Sequence, residues 1–285
     1  MARGLDHIVH AVGDLAAAAE LYRQLGFTVG ARNRHPWGTH NHIVQLPGFF
    51  IELLTLAEPE KMSGDGFSTM FAAYNRDFIA RGDGLSMLVL ESSDAEGDEA
   101  AFRAAGIAAS DAMRFDREGK KPDGTPVQVA FTLAFAKDSQ TPDVSFFTCQ
   151  QHYPENFWNP AFQQHGNGVQ GVADVVLVAD EPAQHRAFLM AYSDGAARDE
   201  GDGLSIELPR GGIAVMTPQA FSDRYGQRAP DTGRGARLAA LRFKTGDPAA
   251  VIAQLAKAGI AFSPLKSGAI SAAVLGATLV FEPDQ

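Results

Sequence analysis

The sequence has little cysteine, no long apolar run and no excess of basic residues. Its 285 residues include one cysteine, Cys149, which excludes an internal disulfide and fits a reducing compartment. No window reaches the roughly 18 uninterrupted apolar residues of a membrane helix, and the first residues lack the apolar run of a signal peptide. We therefore expect a cytoplasmic protein with no membrane partner.

The formal net charge of the chain is −10. A protein of that sign repels the phosphate backbone, so we do not expect nucleic acid as a partner. Basic residues gather at one place, which is either the solvated tip of a hairpin or a patch that steers an anionic substrate towards a nearby pocket. These residues are Arg114, Arg117, Lys120 and Lys121.

A pattern of strand, helix and three strands opens the chain. Residues 5–12 are apolar and rich in β-branched side chains, as in a strand. Asp14 then lies where a helix N-cap belongs. Apolar residues at helical spacing follow over 15–25, and Gly26 is typical of a helix end. The pattern predicts three further strands, over 27–31, 42–46 and 49–56.

The same order of elements returns three times, over residues 85–150, 172–217 and 237–282. Recurrence of one order of elements indicates a repeat architecture. The stretch between the second and third copies, over 151–168, is rich in turn-forming residues and predicts an irregular crossover.

This recurrence predicts an α+β fold of repeated βαβββ units, with curved mixed sheets and helices packed outside. Two such units side by side form a cup, and small ligands bind to concave surfaces of that kind. We predict a first domain of two units over 1–150, a crossover linker over 151–168 and a second, degenerate domain over 169–285. Four units in one chain can complete their own cups, so we expect a monomer or a homodimer.

Several short motifs carry a family resemblance. They are Leu-Asp-His at 5–7, Asp14, Leu-Gly-Phe at 25–27, Phe-Ile-Glu-Leu at 50–53, the stretch 35–41 around Trp37, the stretch 149–155 with Trp158, and Val-Met-Thr-Pro at 215–218 followed by Phe221. Together they resemble the vicinal oxygen chelate superfamily, and more closely its glyoxalase-like domain proteins. The resemblance is strongest over residues 5–56 and weakest over 236–285.

The resemblance implies a divalent metal ion, such as zinc, manganese or iron, to which a small substrate supplies two neighbouring oxygens. It implies metal ligands at His7 on the first strand and at Glu52 on the fourth, because inward side chains of these strands bind metal in the superfamily. Imidazole and carboxylate suit such an ion. Other members of the superfamily keep the cup and bind drugs such as bleomycin without metal.

The sequence departs from the metal-binding pattern of the superfamily. Ser86 or Leu85 matches His7 in the second unit, and neither is a good ligand. The matching strand starts of the second half hold no histidine and leave only Glu282, at the end of the chain. We therefore expect the active site in the first half.

The last strand of the second unit offers further candidates. Because side chains alternate along a strand, Thr148, Gln150 and His152 are predicted to share one face, with Cys149 on the other. Gln150 and His152 are therefore the predicted contacts to the substrate from this strand.

Glu52 is the predicted catalytic residue. It lies between apolar residues, and a buried carboxylate needs a metal, a base or a hydrogen-bond donor as its partner. Without metal its pKa would rise, and it could act as a general base. For His7, metal ligation and a structural hydrogen bond both stay open.

A dense polar cluster surrounds Trp37. We predict that it contacts the substrate as a lid or wall, since Gly38 permits close backbone approach and an amide offers both donor and acceptor. The alternatives are a polar loop without a role and a separate metal site of His40 and His42. The predicted substrate contacts are Trp37, Thr39, His40 and Asn41.

The leading hypothesis is therefore a metal-assisted lyase, isomerase or dioxygenase that acts on a small oxygenated organic molecule. The alternative is a metal-free cup that binds or sequesters an aromatic or amphipathic compound, with aromatic side chains stacking on it. A third hypothesis is a structural or regulatory protein whose cup is filled by side chains.

Overall fold

The computed structural model describes residues 2–62, 66–120 and 124–284 of the chain. Within these ranges, the side chains of residues 67, 68 and 120 are not described. Lys121, one of the predicted basic cluster, lies outside the described residues. No helix in the described part is long and apolar enough to cross a membrane.

The first half is an alternation of strands and helices. Its strands are β1 Leu5–Ala11, β2 Asn33–Arg34, β3 Thr39–Leu46, β4 Phe49–Leu56, β5 Gly84–Glu91, β6 Met113–Lys120, β7 Pro126–Ala136 and β8 Ser145–Gln151. Its helices are α1 Leu15–Gln24, α2 Phe67–Ile79 and α3 Ala95–Ala104, and the short helix α4 Pro154–Phe157 follows.

The second half repeats this plan. Its strands are β9 Val169–Val178, β10 Ala197–Glu200, β11 Gly203–Glu207, β12 Gly212–Met216, β13 Arg237–Thr245, β14 Phe262–Pro264, β15 Ile270–Val274 and β16 Ala277–Pro283. Its helices are α5 Arg186–Ser193, α6 Pro218–Tyr225 and α7 Pro248–Lys257.

Each half forms one curved, mixed sheet of eight strands within the described residues. The strand order is β2-β3-β4-β1-β5-β8-β7-β6 in the first sheet and β10-β11-β12-β9-β13-β16-β15-β14 in the second. In each βαβββ unit the first and last strands pair in parallel, and the two units of a half join through their antiparallel first strands. This architecture, with helices outside, confirms the predicted α+β fold.

One hydrophobic core spans both halves. It contains Ile8 of β1 together with Val175 of β9 and Phe281 of β16, all of them fully or almost fully buried. Polar contacts cross the same boundary, since the Tyr192 hydroxyl lies 2.7 Å from the carbonyl oxygens of both Leu88 and Phe147. The predicted division into two domains stays a prediction, and the halves pack on each other through this shared core.

Two predicted features of the first unit differ from the structure. Residues 27–31 form no strand, because the carbonyl of Gly30 accepts a hydrogen bond from the His42 side chain (2.7 Å) and pairing begins only at Asn33. The helix α2 is not among the predicted elements. This helix begins after Gly66, which has no side chain to cap it, so the usual signal for a helix start is missing.

Candidate functional site

The concave face of the first sheet encloses a cavity of about 70 Å³. Its wall is mostly aromatic, with rings from the loop before β3 and from β4, α2, β6, β7, β8 and α4. These rings are Trp37, Phe50, Phe71, Phe115, Phe131, Phe147 and Phe157. The polar side chains of the wall are His7, His35, Asn41, Glu52, Arg117 and Cys149.

The alternation of side chains along β1 and β4 brings His7 and Glu52 to the same wall of the cavity. In the parallel register of β1 and β4, His7 lies beside Phe50 and Val9 lies beside Glu52. His7 and Glu52 are therefore two steps apart on adjacent strands and point to the same face. Ile43 of β3 is the direct partner of Glu52 on its other side.

Asparagine side chains orient the Glu52 carboxylate. The Asn41 Nδ2 donates to Glu52 Oε1 at 2.5 Å, and the Asn33 Nδ2 donates to Asn41 Oδ1 at 2.9 Å, which fixes the amide of Asn41. Glu52 is only 8% exposed. Burial raises the pKa of Glu52 from its ordinary value, against the opposing effects of His7, Asn41 and Arg117. Glu52 can therefore hold a proton at a higher pH than a solvated glutamate.

His7 is held from behind by a carboxylate. Its Nδ1 lies 2.5 Å from Asp6 Oδ1, and Gln151 Nε2 donates to Asp6 Oδ2 at 2.9 Å. The imidazole also stacks on Phe50, with ring centroids 4.2 Å apart. Because the carboxylate of Asp6 accepts from Nδ1–H, the lone pair of a neutral ring is on Nε2, where a ligand can approach it.

The Trp37 wall depends on a tight turn. Gly38 has a φ of 89°, and a Cβ there would clash with the carbonyl oxygen of Glu58. His35 stacks on Trp37 with centroids 4.9 Å apart, and its Nδ1 lies 2.8 Å from Thr39 Oγ1. Burial, with the charge of Arg117 as a smaller cause, lowers the pKa of His35 to about 3. His35 is therefore a neutral part of the wall.

Arg117 enters the cavity from β6. This strand continues to Lys120, beyond the predicted end of the strand, so that Arg117 lies on the same face as Phe115. Burial lowers the pKa of Arg117, and the charge of Glu52 opposes this effect. In the sequence Arg117 is only one member of a basic cluster, and the cluster does not reveal which of its members turns inward.

Comparison with known proteins identifies the family. Residues 5–192 match the sequence profile of the family described as a glyoxalase-like domain. The chain belongs to the glyoxalase-like domain family. No curated protein matches the sequence.

Solved structures share the fold of this glyoxalase-like protein. A hypothetical protein from Staphylococcus aureus has a TM-score of 0.69 at 15% identity, with 99% of each chain covered. A mutant of 4-hydroxymandelate synthase from Streptomyces coelicolor has a TM-score of 0.59 at 13% identity, covering 99% of this chain and 92% of that one. A xylose isomerase-like TIM barrel/4-hydroxyphenylpyruvate dioxygenase fusion protein has a TM-score of 0.51 at 14% identity, covering 99% of this chain and 49% of that one. At these identities the likeness shows the fold alone, which is that of the vicinal oxygen chelate superfamily.

The predicted site residues of the glyoxalase-like protein fall into two groups. His7, Trp37, Asn41 and Glu52 meet at the cavity. Thr39 lies behind the wall and orients His35.

His40, Gln150 and His152 do not line the cavity. The ring nitrogens of His40 lie 2.7 Å from Arg32 Nη2 and from Glu58 Oε2, so the side chain is fully engaged elsewhere. Gln150 accepts from the backbone of α3 at Ala95, and His152 Nε2 lies 2.7 Å from Thr132 Oγ1.

The face of β8 that lines the cavity is therefore not the predicted one. Phe147 and Cys149 face the cavity, while Phe146 lies in the core between the halves and packs on Tyr192 of α5. The prediction that Thr148, Gln150 and His152 face the cavity is therefore wrong for this strand. In the structure the apolar Phe146 occupies the core face and so fixes the alternation of the whole strand.

The donor set of the cavity does not fit the divalent metal that the superfamily implies. Among the described residues, no three His, Cys, Asp or Glu side chains group so as to hold an ion. His7 and Glu52 supply two ligands, and burial raises the pKa of the Cys149 thiol well above its usual range, which disfavours the thiolate that a metal needs. The guanidinium of Arg117 adds a positive charge to the same cavity.

On the concave face of the second sheet, one arginine forms ion pairs with two carboxylates. Arg242 on β13 donates to both carboxylate oxygens of Glu282 on β16, at 2.9 and 2.8 Å, and also to Asp174 on β9. This guanidinium therefore already has two carboxylate partners. Arg117 in the first half has no carboxylate ion-pair partner among the described residues.

Proposed function

We propose that the first-half cavity of this glyoxalase-like protein binds a small aromatic molecule and presents its oxygen-bearing group to Glu52 and His7 without a protein-bound metal ion. The observation that carries the proposal is the composition of the wall, in which seven aromatic rings accompany the polar side chains of His7, Asn41 and Glu52 on β1, β3 and β4 and of Arg117 on β6.

The aromatic part of the wall suits a flat apolar ligand. Phe115 lies edge-on to Trp37, with centroids 5.5 Å apart, and is tilted against Phe131 at 5.2 Å. Aromatic contacts of this kind contribute about 0.5–1.5 kcal/mol each beyond the burial of their area. The cavity is small, and because a cavity of roughly 150 Å³ holds benzene, a ligand of one ring and a short substituent would displace side chains of the wall or extend into the mouth of the cavity.

Glu52 and His7 each supply the ligand with one hydrogen-bond acceptor. Glu52 keeps Oε2 for a ligand, since Oε1 accepts from Asn41. His7 offers Nε2, since Nδ1 is bound to Asp6. A polar group that is buried without partners costs about 1–3 kcal/mol, so these atoms select for a ligand that satisfies them.

Proton transfer within the bound complex is a second candidate function, favoured by the raised pKa of Glu52. A carboxylate with a raised pKa is a stronger base when it is ionised. Glu52 Oε2 would take a proton from a carbon next to a carbonyl, the C–H electron pair would form the C=C bond of an enolate, and the π pair of the carbonyl would move onto its oxygen. The guanidinium of Arg117 would stabilise that oxygen, and return of the proton would complete an isomerisation or exchange.

One experiment tests both candidates. Acetophenone, a neutral aromatic ketone with exchangeable methyl protons, is added to untagged protein in D₂O and followed by NMR. We expect saturable binding to the wild type and none to Leu133→Trp, in which an indole fills the cavity. Met190→Trp adds the same indole on the exposed face of α5, where Met190 is 39% exposed, and should bind like the wild type.

The outcomes separate binding from proton transfer. Methyl exchange that is lost in Glu52→Gln while binding persists supports the enzyme, whereas binding without exchange supports a binding protein. Absence of binding by acetophenone, or equal binding by Leu133→Trp, contradicts the proposed function.

A further inference from the structure

Arg117 is a half-buried guanidinium that lines the cavity without an ion-pair partner in the described part of the chain. The neighbouring arginine of the same strand behaves differently. Arg114 is exposed and pairs with Asp116 two residues along, at 3.2 Å. Of the members of the basic cluster whose side chains are described, Arg117 alone turns into the cavity.

The protein's own carboxylate does not satisfy Arg117. Glu52 interacts with Arg117 through its charge and not through a hydrogen bond, and one of its oxygens is taken by Asn41. Desolvation favours the neutral form of Glu52. Arg117 by contrast stays charged at any physiological pH. Among the described residues of the wall, Arg117 is therefore a lasting positive charge without an equally lasting negative one.

A desolvated charge without a partner is unfavourable, and a ligand that supplies the opposite charge removes that penalty. The guanidinium is planar and binds carboxylates through two parallel hydrogen bonds. Phe115 precedes Arg117 on the same face of β6, so an aromatic surface lies directly beside the cation.

We infer that the ligand of this cavity is a small aromatic anion, whose carboxylate pairs with Arg117 while its ring packs against Phe115 and Phe131. The inference rests on the proposed function, to which it adds the charge and the orientation of the ligand. It assigns Arg117 as the residue that distinguishes an aromatic acid from a neutral compound of the same shape.

The test compares two probes of nearly equal shape, benzoate and benzamide, by calorimetric titration. We expect the wild type to bind benzoate about tenfold to a hundredfold more tightly than benzamide, as charge-assisted hydrogen bonds would give. Arg117→Gln should abolish this preference, with most of the loss in affinity falling on benzoate. Arg117→Lys, which keeps the charge but loses the planar pair of donors, should retain part of it.

Arg114→Gln is the matched control, because it removes the same charge from the same strand outside the cavity. It should keep the full preference for benzoate, and circular dichroism should show that all three variants are folded. Equal binding of both probes by the wild type, or an equal loss in Arg114→Gln and Arg117→Gln, would overturn the inference while the aromatic cavity stands. If neither probe binds to the wild type, the proposed function itself fails and the inference falls with it.

Discussion

At the scale of single residues, the hydrogen bonds within the protein determine which polar atoms of the site remain for a ligand. Asp6 holds His7 Nδ1 and Asn41 holds Glu52 Oε1, so each of the two central side chains keeps one atom for a ligand. His7 and Glu52 could be predicted from the sequence because a strand pattern and a family resemblance both pointed to them. Arg117 could not, because its direction depends on how far β6 extends.

Glu52 should make the stability of the protein depend on pH. Burial raises its folded-state pKa above the ordinary value of 4.5, so the folded state binds this proton more tightly than the unfolded state does. The contribution of Glu52 is therefore fully present below pH 4.5 and is lost as the pH rises through the folded pKa.

The variant Glu52→Gln, which cannot ionise, tests this dependence. Relative to the wild type, this variant should gain free energy of unfolding as the pH rises from 4 to 7. Urea unfolding at the two pH values measures the change. The same difference between variant and wild type at both pH values would show that Glu52 keeps an ordinary pKa.

At the scale of helices and strands, most of the architecture was predictable from local signals. Asp14 caps α1 and Asp94 caps α3 through their side chains, as expected from helix-start signals. The helix α2 could not be predicted because Gly66 gives no such signal, although Phe71 and Phe78 lie about two helical turns apart. Its position depends on tertiary contacts, which no local pattern encodes.

One of these contacts gives a prediction for α2. The Tyr74 hydroxyl donates to the carbonyl of Ser86 on β5 at 2.7 Å and ties the helix to the sheet beside the cavity. Tyr74→Phe should therefore lower the free energy of unfolding by about 1 kcal/mol. Chemical denaturation measures this change.

Tyr225 provides the control for Tyr74. It is 1% exposed, and within the described residues its hydroxyl has no hydrogen-bond partner. Tyr225→Phe removes a buried hydroxyl without removing a bond, so it should leave stability unchanged or raise it slightly. Equal destabilisation by both substitutions would contradict the assigned contact of Tyr74.

At the scale of the whole molecule, two sheets with one topology have concave faces of different chemistry. In the second half Arg242 pairs with Asp174 and Glu282, whereas the first half combines aromatic rings with Arg117, which has no such partner among the residues that the structure describes. The recurring order of elements predicted both sheets. It could not predict the aromatic wall, because the rings come from distant segments that meet only through the curvature of the sheet.

The direct test of the central claim is a calorimetric titration of benzoate into untagged, EDTA-treated protein, repeated after addition of Zn²⁺, Mn²⁺ or Fe²⁺. Because the cavity offers two metal ligands and a guanidinium, we predict saturable binding to the metal-free protein and an unchanged affinity when an ion is added. Binding that occurs only in the presence of a divalent ion would contradict the account.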